Sequence, residues 1–165
     1  MERSLIRGQK SEVRGQRSEV GGQRSEIGSQ KSEPHRAEPM QINSAKDLKV
    51  YRMAYELAMR VFEISKKFPA EERFALTSQI RRSSRSVCLN LREAWAKRRY
   101  EAHFISKLTD CDGENSETES SLDFAQDCRY IASKEHTELT ALCKEIGRML
   151  GSMIKNPDSF LILSH

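Results

Sequence analysis

No run of apolar residues in this 165-residue chain approaches the ~20 needed to cross a bilayer. The N-terminus is polar and glycine-rich, and it lacks the apolar segment of a secretory signal. The four cysteines, Cys88, Cys111, Cys128 and Cys143, stand 23, 17 and 15 residues apart, with no C-x-x-C pair. A zinc site needs closely paired thiolates or histidines to close its tetrahedron, so that spacing excludes one. All four fall within predicted helices and read as buried free thiols in a reducing cytoplasm. None of His35, His103, His136 and His165 has a glutamate three positions before it. The paired Glu-x-x-His motifs of a di-iron bundle are therefore missing. There is no glycine-framed serine elbow and no G-x-x-x-x-G-K phosphate loop. The expectation is a soluble, cytoplasmic protein with no catalytic residues, metal site or cofactor, and no membrane partner.

Apolar residues make up only 37% of the chain and charged residues 32%. One domain with a sizeable core is possible at this length. So low an apolar share means that part of the chain is unfolded or that its helices have broad solvated faces. The net charge of +4 is mild, coming from 28 basic and 24 acidic residues, so the placement of charge carries more than its total.

Residues 7–34 are a repeat of seven: RGQKSEV, RGQRSEV, GGQRSEI, GSQKSEP. Each unit has at most one aliphatic position where a coiled coil needs two, and glycine besides. Such units bury too little surface to offset the entropy of ordering them. Residues 1–40 are therefore expected to be a disordered arm. Its eight basic and six acidic residues leave a net of +2, too diluted for a strong nucleic-acid grip. The near-identity of the units reads as a translated tandem DNA repeat, with Met40 as a plausible start.

From Lys46 the pattern changes. Ser44 or Asp47 can cap a helix running to about Lys67. Val50, Ala54, Leu57, Val61, Ile64 and Phe68 form one stripe on it, and Tyr51, Tyr55, Ala58 and Phe62 a second beside it. Two stripes predict burial over a wide arc, as in a bundle helix that also meets a neighbouring subunit. Phe68-Pro69 ends this helix. A second helix carries Leu76, Ile80, Val87, Leu91 and Trp95, with Ser83 and Ser84 filling the gap, and ends near Lys97. The third, from about Tyr100, repeats Phe104, Leu108, Cys111, Asn115, Thr118, Leu122 and Ala125. Its middle, DCDGENSETESS, is a poor helix former. The apolar phase matches on both sides of it, which predicts a continuous helix. A fourth helix with Ser133 as N-cap carries Leu139, Leu142, Ile146, Met149 and Met153 and stops at Asn156-Pro157. The fold class is all-α: an antiparallel up-and-down four-helix bundle over 44–157, with an apolar tail over 158–165 that docks on the bundle or on a partner.

Charge concentrates on the second helix. Arg81, Arg82, Arg85, Arg92, Lys97, Arg98 and Arg99 stand there against the single acid Glu93. They are the candidate nucleic-acid-binding residues. The third helix answers with Glu101, Asp110, Asp112, Glu114, Glu117, Glu119, Asp123 and Asp127 against Lys107 and Arg129. Opposite helices or adjacent subunits could therefore neutralise the basic face instead, and both readings stay open. Little aromatic interleaving is in view beyond Trp95 and Tyr100, so base stacking is expected to be minor. Asn90, Glu93, Asn115 and Glu117 are candidates for a structural polar layer that fixes helix register.

The strings LTSQIRRSSRSVCLNLREAWAKRRYEAHFISKLTD, ENSETESSLDFAQDCRYI and GRMLGSMIKNPDSF resemble the 23S rRNA intervening-sequence proteins. These are small bacterial four-helix bundles often encoded within inserts in rRNA genes. The resemblance covers about Asp47 to Leu161. The family's Gln-Ile-Arg-Arg motif falls on Gln79 to Arg82, Asn-x-x-Glu on Asn90 and Glu93, and Ser-Glu-Thr on Ser116, Glu117 and Thr118. Arg92 departs from the small residue usual at its position. The family is similar to accessory proteins of diversity-generating retroelements, basic pentameric barrels that bind nucleic acid and a reverse transcriptase. The resemblance thus implies a homo-oligomer (a pentamer), RNA or DNA as ligand, a reverse-transcriptase-type partner and no enzymatic activity. The alternative is a structural or protein-interaction scaffold.

The repeat arm supplies one test. A chain beginning at Met40 should keep the helical content per folded residue and the thermal midpoint of the full protein. A large loss of either in circular dichroism would show that the arm packs.

Overall fold

The computed structural model describes residues 42–162, so the expected disordered arm and the last three residues of the tail lie outside the described part. Four helices fill it: α1 (Lys49–Ser65), α2 (Leu76–Lys97), α3 (Glu101–Asp127) and α4 (Ser133–Lys155). Single turns of 3-10 helix cover Ala45–Asp47, Ala70–Phe74 and Asp158–Phe160, and no strand occurs among the described residues.

Pairings across the helices set the topology. Arg82 on α2 reaches Glu117 on α3, while Lys107 nearer the start of α3 reaches Glu93 nearer the end of α2. Asn115 meets Cys143, and Asp123 meets His136. Lys49 and Arg60 on α1, and Lys67 just past its end, meet Glu145, Glu138 and Glu135 on α4. In each pair one number rises as the other falls, so neighbouring helices run antiparallel. Each helix packs on its two chain neighbours, and α1 closes the ring on α4. This is the expected up-and-down bundle.

The predicted stripes form the core. Ala54, Leu57, Val61, Ile80, Val87, Leu91, Phe104, Leu108, Leu122, Leu139, Ile146 and Leu150 are all buried. The second stripe of α1 is less buried: Ala58 is inside, Tyr51 and Phe62 are half-covered, and Tyr55 is exposed. The start of the bundle is capped by Ser44, whose Oγ accepts from the Lys46 amide at 3.3 Å, and by Asp47, whose carboxylate accepts from the Ser44 amide at 2.8 Å.

Helix α3 runs unbroken through Gly113, as the matching apolar phase requires. Its poor formers are satisfied internally. The hydroxyls of Ser116 and Ser120 donate to carbonyls four residues back, and Thr118 does the same to Glu114. Helix α3 ends on Arg129, whose φ of 63° is left-handed. There the Tyr130 amide donates to the Ala125 carbonyl and the Arg129 amide to Gln126, each at 2.8 Å, which is a Schellman closure.

Two boundary expectations need correction. Ser44 and Asp47 cap the 3-10 turn Ala45–Asp47, while α1 itself starts after Leu48 with no side-chain cap. Ser133 is the first residue of α4 rather than its N-cap, which is Ala132. Glu135 makes this possible, because its carboxylate accepts from the Ala132 amide at 3.0 Å and so satisfies the helix start without a capping hydroxyl. Likewise α2 begins after Ala75, and the carboxylate of Glu72 accepts from the Leu76 amide at 3.1 Å. The other Glu72 oxygen accepts from the Tyr130 hydroxyl at 3.2 Å, tying the start of α2 to the α3–α4 turn. The described part of the tail does dock. Phe160 stacks on Phe104 with ring centres 6.1 Å apart, and the Ile162 amide donates to the Arg98 carbonyl at 3.2 Å.

Cys88, Cys111 and Cys143 are buried free thiols, but Cys128 is exposed at the C-cap of α3. Burial pushes the Cys88 thiol up to about 11, and Cys111 and Cys143 to about 12. A raised thiol pKa favours the neutral form in the fold. The associated stability is present below the unfolded value near 9.0 and drains away as pH climbs toward those folded values. At pH 8 an aromatic disulfide reagent should therefore titrate one thiol quickly and three more only in urea. The urea midpoint should fall as pH is raised above about 9. Rapid titration of two or more thiols in the native protein would contradict this burial.

A built Cβ on Gly113 meets nothing within 4 Å. Gly113→Ala should stabilise the protein by up to about 1 kcal/mol, since only helix propensity changes. A urea titration showing clear destabilisation would mean that α3 is not a continuous helix there.

Candidate functional site

Around α2, residues advance about 100° each. Arg81, Arg85 and Arg92 consequently fall within about 40° of one another, on the side that meets α1, and Arg82 stands about 100° further round. The structure sorts the basic residues by that rotation. Arg82 turns to α3, where its guanidinium meets Glu117 at 2.9 Å and Glu114 at 3.4 Å. Lys97 lies 3.8 Å from Glu93 on its own helix. Arg98 folds back, donating to the Trp95 carbonyl at 2.5 Å with its guanidinium 4.0 Å from the indole ring centre. Arg99 is exposed in the link to α3.

Arg81 and Arg85 have a different setting. Both guanidiniums lie against the ring of Phe62 on α1, at 5.1 and 5.8 Å from its centre. The Arg81 Nε also donates to the Ser65 hydroxyl at 2.7 Å. Lys66 covers the same ring at 4.5 Å, but its ammonium is paired with Glu63 at 2.8 Å. Arg92 is exposed and close enough to Tyr51 to favour its phenolate, while burial, the larger influence, pushes that phenol up. Among the described residues, Arg81, Arg85 and Arg92 have no carboxylate within ion-pair distance. A stacked or hydroxyl-braced guanidinium keeps free N–H groups and loses less freedom on binding an anion. Beside them lies a shallow cleft of about 530 Å³, walled by Arg73, Arg81, Arg82 and Arg85, with Ser78 and Ser86 between and Phe74 and Leu89 at its edges.

Of the seven basic candidates, then, three form a strip and four do not join it. Helix α1 adds aromatics to the single Trp95 of α2. Tyr51 and Tyr55 stack on each other at 6.5 Å, with planes 18° apart, next to Lys46 and Arg52. Phe74 adds an exposed ring at the other end, with the Arg73 guanidinium 5.3 Å from its centre. The second α1 stripe was the sequence signal for Tyr51, Tyr55 and Phe62, although it gave no hint that arginines would line up beside it.

The four polar-layer candidates do not make one layer. Asn115 alone is buried, donating from Nδ2 to the Cys143 carbonyl at 2.9 Å across to α4. Asn90 is half-covered and lies 3.4 Å from the Lys107 ammonium. Glu93 is exposed and pairs with Lys107 at 3.1 Å, and Glu117 accepts from Gln79 at 2.7 Å at the rim. Helical rotation explains this, because Glu93 and Glu117 fall outside the apolar arcs of α2 and α3. The buried polar link between those helices is instead Ser83 to Thr118, whose hydroxyls meet at 2.9 Å. Among the described residues no three histidine, cysteine or acidic side chains come together as metal ligands, and no helix is long and apolar enough to cross a membrane.

Fold and surface together define a small antiparallel four-helix bundle whose α1–α2 face carries unpaired arginines beside aromatic rings. Residues 46–152 match the 23S rRNA-intervening sequence protein family, and the chain belongs to that family. It is similar to a protein of unknown function of the S23 ribosomal protein family from Bacteroides thetaiotaomicron VPI-5482, solved at 1.70 Å. The two are 31% identical with a TM-score of 0.59, over 65% of this chain and 96% of that one. No curated protein gives a match.

Proposed function

We propose that this bundle is a non-enzymatic, oligomeric nucleic-acid-binding module that holds RNA or DNA phosphates on the α1–α2 face. The observation that carries the reading is the division of charge on α2. Arg82 is neutralised by Glu114 and Glu117, whereas Arg81, Arg85 and Arg92 have no acidic partner among the described residues. Phosphate contacts of this kind are sequence-independent and salt-dependent. Family membership and its retroelement resemblance support a role as accessory to a reverse transcriptase or ribonucleoprotein.

Self-association is the second part of the proposal. Leu89 borders the arginine-walled cleft, and Tyr55 and Met59 are exposed on α1 in a pocket shared with α4. A pentamer is the number that the resemblance implies. If that surface serves only to join copies, the protein is a scaffold and its arginines are interface residues.

Replacing Arg81, Arg85 and Arg92 together by glutamine separates these outcomes. The variant should keep its helicity and its oligomeric state; with three phosphate contacts gone, its affinity should fall by roughly 1.3–1.6 decades less than that of wild type between 50 and 200 mM salt, and at fixed low salt it should bind structured RNA at least ten-fold more weakly. RNA binding equal to wild type would remove the reading. Loss of the oligomer in sedimentation, or a wild-type protein sedimenting as a 19.0 kDa monomer, would favour the scaffold or remove self-association respectively.

A further inference from the structure

The proposed phosphate strip is bounded at both ends by rings that the fold leaves uncovered. Phe74 is 87% exposed, in the single turn before α2, and borders the arginine-walled cleft. Tyr55 is 56% exposed and stacks on Tyr51, whose neighbours include Arg92. An exposed phenylalanine gains nothing from the core. The Arg73 guanidinium beside it supplies a polar backing and leaves the rest of the ring accessible. Along α2, Arg81 and Arg85 are one helical turn apart, about 6 Å along the axis, and Arg92 is about 10 Å further on. The first step suits neighbouring phosphates of one flexible strand, and the second passes over a phosphate.

Resting on the nucleic-acid reading above, we infer that the ligand of this face is a single strand with unpaired bases, its phosphates on Arg81, Arg85 and Arg92 and its bases on Phe74 and Tyr55. A duplex hides its base faces in its own stack and could use only the arginines. A single strand offers a π-face at every base, and stacking on an aromatic side chain tolerates any sequence. The cleft favours nucleic acid over an acidic peptide for the same reason, since the carboxylates of a peptide would use Arg81 and Arg85 but bring no base to stack on Phe74. The nearest competing anions are the protein's own: Glu72 lies beside Phe74 on the neighbouring cleft, Glu117 holds Arg82, and Glu56, Glu63, Glu135 and Glu138 line a pocket with Tyr55. None of these carboxylates lines the arginine-walled cleft. Phe74 therefore presents a basic side and an acidic side, and the strand lies on the basic one.

The test compares the full-length protein with a Phe74→Ala, Tyr55→Ala double variant. Both positions are exposed, so the fold should survive, and circular dichroism checks that it does. Each protein is titrated by fluorescence anisotropy with a labelled unstructured oligonucleotide and with a hairpin duplex carrying the same number of phosphates. Wild type should bind the single strand at least ten-fold tighter than the duplex. The double variant should bring the two affinities within about three-fold of each other. Ultraviolet crosslinking of the wild type to the single strand should place adducts on Phe74 or Tyr55. Equal binding of both probes by wild type, still weakened by the arginine substitutions, would overturn single-strand preference and leave the phosphate reading standing. Binding of neither probe would overturn both.

Discussion

The seam between α2 and α3 is the constraint on which the rest of the structure depends. A link of only three residues turns the chain between them, so these two antiparallel neighbours must lie side by side. Small side chains let them approach. Ser83, Ser84 and Ala94 on α2 are buried with Thr118, Ser121 and Ala125 on α3. The Ser83–Thr118 hydroxyl contact leaves those polar groups satisfied in the interior, where unpaired ones would cost about 1–3 kcal/mol each. Once the seam is fixed, the rotation of α2 is fixed, and so is the direction of every arginine on it.

That rotation explains how one helix can be both core and binding surface. The arc against α3 brings Arg82 to the acids, and the arc against α1 takes Arg81, Arg85 and Arg92 away from them. Surface ion pairs contribute little stability on their own. Their consequence here is selective: pairing removes one arginine from the set free to meet a ligand. Helix α1 completes the face by placing Phe62 under two guanidiniums and Tyr51 and Tyr55 beyond them.

The helices were legible in the sequence because their signal is local. Period alone placed α1 to α4, and the phase match across DCDGENSETESS carried α3 through its weakest stretch. Neighbourhood between helices was not legible. Asn90, Glu93 and Glu117 were grouped with Asn115 as one polar layer, yet only Asn115 lies on its helix's apolar stripe, in phase with Cys111 and Leu122, and it alone of the four is buried. Cys128 was grouped with the buried cysteines, although it follows the last turn of α3 and lies outside the core. The helix caps at Ala132 and Ala75 were hidden because the capping groups, Glu135 and Glu72, sit three residues after one cap and three before the other. The pairing of arginines with aromatics was hidden for a similar reason, as Phe62 and Arg81 are far apart in the chain and meet only after α1 and α2 dock.

The central claim is that the fold divides the arginines of α2 into a neutralised one and a free strip. The salt dependence of RNA binding by single variants tests it most directly. On this account Arg85→Gln lowers the slope of log K against log salt by about 0.7–0.9, the loss of one phosphate contact, while Arg82→Gln leaves that slope nearly unchanged. An Arg82→Gln variant that loses as much slope as Arg85→Gln, or more, would contradict it.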